Sequence, residues 1–160
     1  MSGGEPGIVR IAGEIVINRP VDEVSDFVAD ERNEPRYNPR MLRAELTSAG
    51  PIGRGTRFRA ESAMMGLTVE TAVEFTAYDR PRLIASTSRS VLRLIKPLPT
   101  ADIQGTVTFD AVPEGTRMRW SWEVETRGVF RLMTSMVARM GQQQEHTVWA
   151  NLKHLLEAQT

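Results

Sequence analysis

The sequence predicts an α+β fold, a curved antiparallel sheet of about seven strands wrapped around one long C-terminal helix, with two short helices after the first strand. Three observations carry this expectation. From Met41 to Thr126 apolar residues recur at every second position, the period of strands with one buried face. Residues 129–158 contain no proline and only Gly141, and their apolar spacing is helical. Between residues 20 and 39 a short amphipathic stretch and a polar stretch with Pro35 and Pro39 interrupt the strands.

The elements follow in order. "IVRIAGEIVIN" (8–18) alternates Ile11, Ile15 and Ile17 with polar positions and reads as a strand. Pro20 suits the first position of a helix, where its missing N–H costs nothing. Val21, Val24, Phe27 and Val28 then fall at helical spacing, and Asp22 and Glu23 favour the positive end of the helix. "MLRAELTSA" is a strand and "GPIGRG" a turn. "TRFRAESAMM" places Phe58, Ala60, Ser62 and Met64 on one face, and Gly66 turns the chain into "LTVETAVEFTAY" with Val69, Thr71, Val73 and Phe75 aligned. "DRPR" leads to the strand 83–90, and "VLRLIKPLPT" connects it to "ADIQGTVTFDA". "VPEGT" is a hairpin turn before "RMRWSWEVET", whose Met118, Trp120, Trp122 and Val124 face one way. Residues 1–7 are expected to be a flexible N-terminus and 8–158 a single domain.

Composition narrows the function classes. Twenty basic and twenty acidic residues cancel, which argues against a nucleic-acid partner. The absence of cysteine excludes disulfides, thiolate metal sites and cysteine nucleophiles. No stretch approaches the ~20 apolar residues that span a bilayer, and the N-terminus lacks a signal-peptide pattern, so a cytoplasmic location is expected. Only two histidines occur, His146 and His154, both on the terminal helix and not aligned as a metal pair, so no metal or cofactor is expected.

Several spaced segments carry a family likeness: "INRPVDEVSDFVAD", "RYNPRM", "GPIGRGTRFR", "YDRPRLIAST" and "EGTRMRWSWEVE" before a long terminal helix. Together they resemble the START-like, or SRPBCC, superfamily, the helix-grip fold of polyketide cyclases, lipid-transfer domains and pollen allergens. The likeness covers nearly all of residues 8–158. It implies that the short helices plug one side of a space between sheet and helix, with Val21, Val24 and Phe27 on the sheet and the Pro35–Pro39 segment at the cavity edge. It fixes no chemistry, because such folds host binding proteins and enzymes alike.

The candidate ligand-binding residues come from the inward parities. Phe58, Met64, Val69, Val73, Trp120 and Trp122 belong to the sheet face. On the helix, Met133, Met136, Val137 and Met140 share a face with Val148 and Leu155, and Gln144 and Asn151 lie in its middle. Buried amides need partners. Trp149 falls on the outer part of that wheel. Methionine-rich walls adapt to apolar ligands of varied shape. Leu94 and Ile95, in a connection stiffened by Pro97 and Pro99, are candidates for a lid, with Arg93 or Lys96 meeting a polar head group. Glu61, Glu70 and Glu74 fall on the outward parity, so no paired acid and base is expected inside, and no catalytic residue is assigned.

The leading function is binding or carrying a small hydrophobic ligand, such as a lipid, polyketide or isoprenoid. The alternatives are an enzyme of the polyketide cyclase/dehydratase type and a protein-interaction module. An inward carboxylate, histidine or tyrosine would favour the enzyme, and an exposed apolar patch over a filled core would favour the interaction module.

Overall fold

A computed structural model describes residues 7–159. Seven antiparallel strands form one sheet: β1 (Ile8–Ile17), β2 (Met41–Leu46), β3 (Arg57–Met64), β4 (Leu67–Asp79), β5 (Leu83–Leu92), β6 (Leu98–Val112) and β7 (Gly115–Thr126). Their order is β1-β7-β6-β5-β4-β3-β2, so consecutive hairpins run from β2 to β7 and β1 closes beside β7. Helix α1 (Val21–Ala29) and a 3₁₀ helix, η1 (Glu31–Arg36), lie between β1 and β2. A second 3₁₀ helix, η2 (Gly128–Met133), precedes α2 (Thr134–Glu157). The expected fold class is thus the one observed. The expected flexible segment 1–7 lies outside the described residues except for Gly7, whose carbonyl accepts bonds from the Thr126 N–H and hydroxyl at 2.8 and 3.0 Å.

The two faces of the sheet have opposite chemistry. On the convex face ion pairs run across the strands, with Arg57 on Glu74, Arg43 and Arg93 on Glu61, Arg127 on Asp102, and Arg117 and Arg119 on Glu14. Each exposed pair adds at most ~1 kcal/mol, so this lattice keeps the face wet more than it stabilises it. The concave face supplies the core: Ile17, Val24, Phe58, Phe109, Met118, Leu152 and Leu156 are sealed from solvent. Burying each large side chain contributes roughly 1.5–3 kcal/mol.

Both edges of the sheet reach α2. Along β1, Gly141 lies against the Ile11 side chain, where a β-carbon would come within 2.5 Å of its terminal methyl. Gln142 Nε2 donates to the Ala12 carbonyl at 2.9 Å and Lys153 Nζ to the Val16 carbonyl at 2.8 Å. The β2 edge reaches the helix through η1, where Asn151 Nδ2 donates to the Tyr37 carbonyl at 3.1 Å.

Three expectations are corrected. The helical stretch 129–158 is divided, because its first turn is 3₁₀. Pro20 stands at the N-cap, one residue before the first helical position. The register of α2 is rotated by about a quarter turn at 3.6 residues per turn. Gly141, Glu145, Val148, Trp149, Leu152 and Leu156 turn toward the sheet, and Trp149, expected outside, is 6% exposed. Small and polar residues, Gly141 and Glu145, occupy the inner face, so a wheel built on side-chain hydrophobicity alone points to the neighbouring stripe of methionines.

Candidate functional site

The site begins with six residues after α1. Asp30 caps η1 by accepting the Arg32 N–H at 3.1 Å, and Asn33 Nδ2 ties the turn back to the Phe27 carbonyl at 3.0 Å. A 3₁₀ helix has three residues per turn, so side chains at i and i+3 eclipse one another. Glu31 and Glu34 are such a pair. Just beyond them the Tyr37 ring packs between Phe27 and Trp149, with both centroid separations at 6.0 Å. Tyr37 is 4% exposed, and its hydroxyl has no hydrogen-bond partner among the described residues.

Helix α2 adds a third carboxyl. Glu145 Oε2 accepts the Trp122 indole N–H at 3.0 Å and the Trp149 indole N–H at 2.7 Å. Among the described residues its other oxygen has no partner, Glu31 has none, and Glu34 accepts only from Asn38 Nδ2 at 2.9 Å. Among the described residues the one polar side-chain atom both sealed and unpartnered is Trp120 Nε1. The free carboxyl oxygens and the Tyr37 hydroxyl therefore border open space.

Electrostatics mark the group. Burial raises Glu31, to about 8, and the charges of Glu34 and Asp30 add to this. Burial likewise raises Glu34, to about 7, against the Asn38 hydrogen bond and with help from Glu145. Burial raises Glu145 despite the two indole donors. Tyr37 is pushed well up by burial and by the charges of Glu34, Glu31 and Glu145, so the phenol stays protonated. Glu31 and Glu34 keep part of their surface. Inward carboxyls were not expected. The signals that point to them are two glutamates three apart before Pro35, and Glu145 four residues from Trp149 on one helical face.

The expected site residues divide into three groups. Phe58, Val73 and Trp120 are buried in the core cluster, and Trp122 packs at its edge. Met64, Val69, Val137 and Gln144 are half-buried. Met133, Met136 and Met140 are 37, 51 and 38% exposed on the flank of α2 away from β1. On the same concave parity Ser62, Thr71, Ser86, Ser88 and Ile103 are also only half-buried. The β1 half of the concavity is thus closely packed, with the Trp120 ring lying directly on Gly13, while residues of the opposite half keep part of their surface.

Residues 91–99 form a hairpin, not a free connection: Val91 pairs with Pro99 and Leu92 with Leu98. Arg93 does not reach inward. It is held on the outer face by Glu61 at 3.0 Å and by Glu70. Leu94 and Ile95 project from the tip, with Ile95 fully exposed. The β3–β4 tip and η2 lie at the same end of the sheet and expose Met65, Leu67, Val129 and Leu132. The convex face has a groove of about 370 Å³ bordered by Ala12, Gly13, Glu14, Thr106, Thr108, Arg119, Trp120 and Ser121.

This arrangement agrees with known families. The family described as polyketide cyclase/dehydrase and lipid transport matches residues 9–157. The chain belongs to that family. Comparison with curated protein sequences finds no match. Among solved structures, an uncharacterised protein from Rhizobium leguminosarum superposes with a TM-score of 0.75 at 18% identity, over 95% of this chain and 96% of that one. Ara h 8.0201 superposes at 0.72 with 16% identity, over 95% and 99%. A START superfamily protein from Mycobacterium smegmatis superposes at 0.68 with 14% identity, over 96% and 99%. At these identities the likeness establishes the helix-grip fold alone. Family and fold together point to binding of a hydrophobic ligand between sheet and helix.

Proposed function

We propose that the protein binds a small hydrophobic molecule, of lipid, polyketide or isoprenoid type, in the open half of the space between sheet and α2. Its apolar body lies against Met64, Val69, Ile103, Trp122 and Val137, and its polar end meets Tyr37, Glu31, Glu34 and Glu145. One observation carries the reading: a nearly buried tyrosine hydroxyl and several carboxyl oxygens lack partners and border open space. Polar groups that border open space are hydrated when it is empty, so a ligand whose polar end replaces those hydrogen bonds keeps them satisfied while its apolar body leaves water. Leu94 and Ile95, with the other aliphatics at that end, form the entrance, a surface to which apolar molecules partition. Native mass spectrometry of the purified protein tests the proposal. A co-purifying apolar molecule, or saturable uptake of one at unit stoichiometry, is expected. Failure to retain any lipophile would contradict it.

The same groups support a second reading, proton transfer of the cyclase/dehydrase kind. A carboxyl that holds its proton near neutrality is matched to general acid–base work at physiological pH. Glu34 would take a proton α to a ligand carbonyl while the Tyr37 O–H stabilises the enolate oxygen. Exchange of such a proton for deuterium on a bound long-chain β-diketone should then exceed the buffer rate and drop on Glu34→Gln. Exchange at the buffer rate would leave binding as the function.

A further inference from the structure

We infer that the bound molecule carries a protonated amine on its apolar body, received by Glu31, Glu34 and Glu145 beside the Tyr37, Trp122 and Trp149 rings. The inference rests on the binding reading above and adds the ligand's charge to it. The three carboxyls come from two elements that cross at the polar end of the space. Glu31 and Glu34 are eclipsed on one face of η1, and Glu145 faces them from α2. No lysine or arginine acts on any of the three, and the nearest bases are turned elsewhere. Arg32 is paired with Asp30 at 2.8 Å, and Arg36 lies over the outer side of the Phe27 ring, 5.3 Å from its centroid. Besides the two indole donors, His146, itself exposed, has a favourable influence on Glu145.

The group is therefore strongly acidic, partly desolvated and uncompensated, while the chain as a whole is neutral. Like charges in such a place are unfavourable until a cation joins them. Among the described residues no three His, Asp or Glu side chains stand close enough to share a metal ion. The aromatic lining suits an organic ammonium. Tyr37 and Trp149 are packed against other rings, but Trp122 has no ring neighbour among the described residues and can attract a cation, and the partnerless Tyr37 oxygen accepts an ammonium N–H. Trp122 and Trp149 hold Glu145 Oε2 in place, leaving its other oxygen for the ligand.

The pH response has a defined sign. As pH rises, Glu31, Glu34 and Glu145 gain negative charge, with His146 beside Glu145. Asp30 is already ionised through its Arg32 hydrogen bonds, and Tyr37 stays neutral. An alkylamine remains protonated throughout, with a pKa near that of lysine, about 10.4. Amine affinity should therefore rise from about pH 5.5 to about pH 8.5, with protons released on binding, whereas a neutral ligand should show no such gain.

The test is calorimetry with three ligands of one chain length, decylamine, decanol and decanoate, each below its aggregation threshold. The amine is expected to bind about tenfold tighter than the alcohol at about pH 8, and the carboxylate weakest. The amine-to-alcohol ratio should fall at least about fivefold in Glu34→Gln and in Glu145→Gln, and stay unchanged in Glu114→Gln, which alters an exposed turn. If an inner variant does not fold, the rise of the ratio with pH in the unaltered protein decides. Alcohol binding that equals or exceeds amine binding, a preference for decanoate, or a ratio independent of pH would overturn the inference and leave the binding reading intact. If neither alcohol nor amine binds, both fall.

Discussion

Glu31 and Glu34 hold their protons above the ordinary carboxylate value of 4.5 because burial and neighbouring acids disfavour their charged forms. Between that value and about 8 the folded state binds more protons than the unfolded chain, so stability falls as pH rises through this window. The acids lowered by their partners, Asp26 on Arg80 and Glu61 on Arg43, act oppositely and at lower pH, losing their contribution as pH falls. Thermal unfolding should therefore show a higher Tm at about pH 5.5 than at about pH 8.5. Glu31→Gln or Glu34→Gln should flatten the slope, adding ~1–2 kcal/mol at the higher pH and almost nothing at the lower. Variant and unaltered curves that run parallel would show these carboxyls to be ordinary. Glu145 has a different part, because two indole N–H groups depend on it. Glu145→Ala should cost ~2–3 kcal/mol, while Glu145→Gln, which keeps an acceptor, should cost well under half of that.

At the scale of elements, alternation in the strands was legible because each strand is wet on one face and dry on the other. Phe58, Val73, Trp120 and Val124 fall inward as their period requires. The terminal helix was legible in existence but not in rotation. Its inner face includes Gly141, chosen for close approach to Ile11, and Glu145, chosen for two indole donors, and neither raises an apolar signal. The methionine stripe is apolar yet borders an opening, so hydrophobicity marked the flank instead of the packed side. The second short helix, η1, was legible as an element, but the i, i+3 pairing of Glu31 and Glu34 within it was not, because internal Pro35 reads as a break. The rotation has a measurable consequence. Leu152→Ala, at a sealed position, should cost ~2–5 kcal/mol in denaturant unfolding, whereas Met136→Ala should cost less than ~1 kcal/mol. Equal costs would restore the methionine face as core.

For the whole molecule, the packed β1 half supplies stability and the open half supplies room, with polar groups on η1 and α2 at one side and aliphatic tips at one end. Leu94→Ser with Ile95→Ser should hasten ligand release several-fold and shift unfolding by less than ~0.5 kcal/mol, because both side chains are exposed. A double variant that unfolds the protein would make the tip part of the core. The most direct test of binding between sheet and helix is an amide and indole N–H nuclear magnetic resonance titration with decanol. The expected result is saturable shifts at the Trp122 and Trp149 indoles and at Met64, Ser88 and Ile103, with outer-face residues such as Thr106 and Ser121 unmoved. Shifts confined to that outer face, or no saturable shift at all, would contradict it.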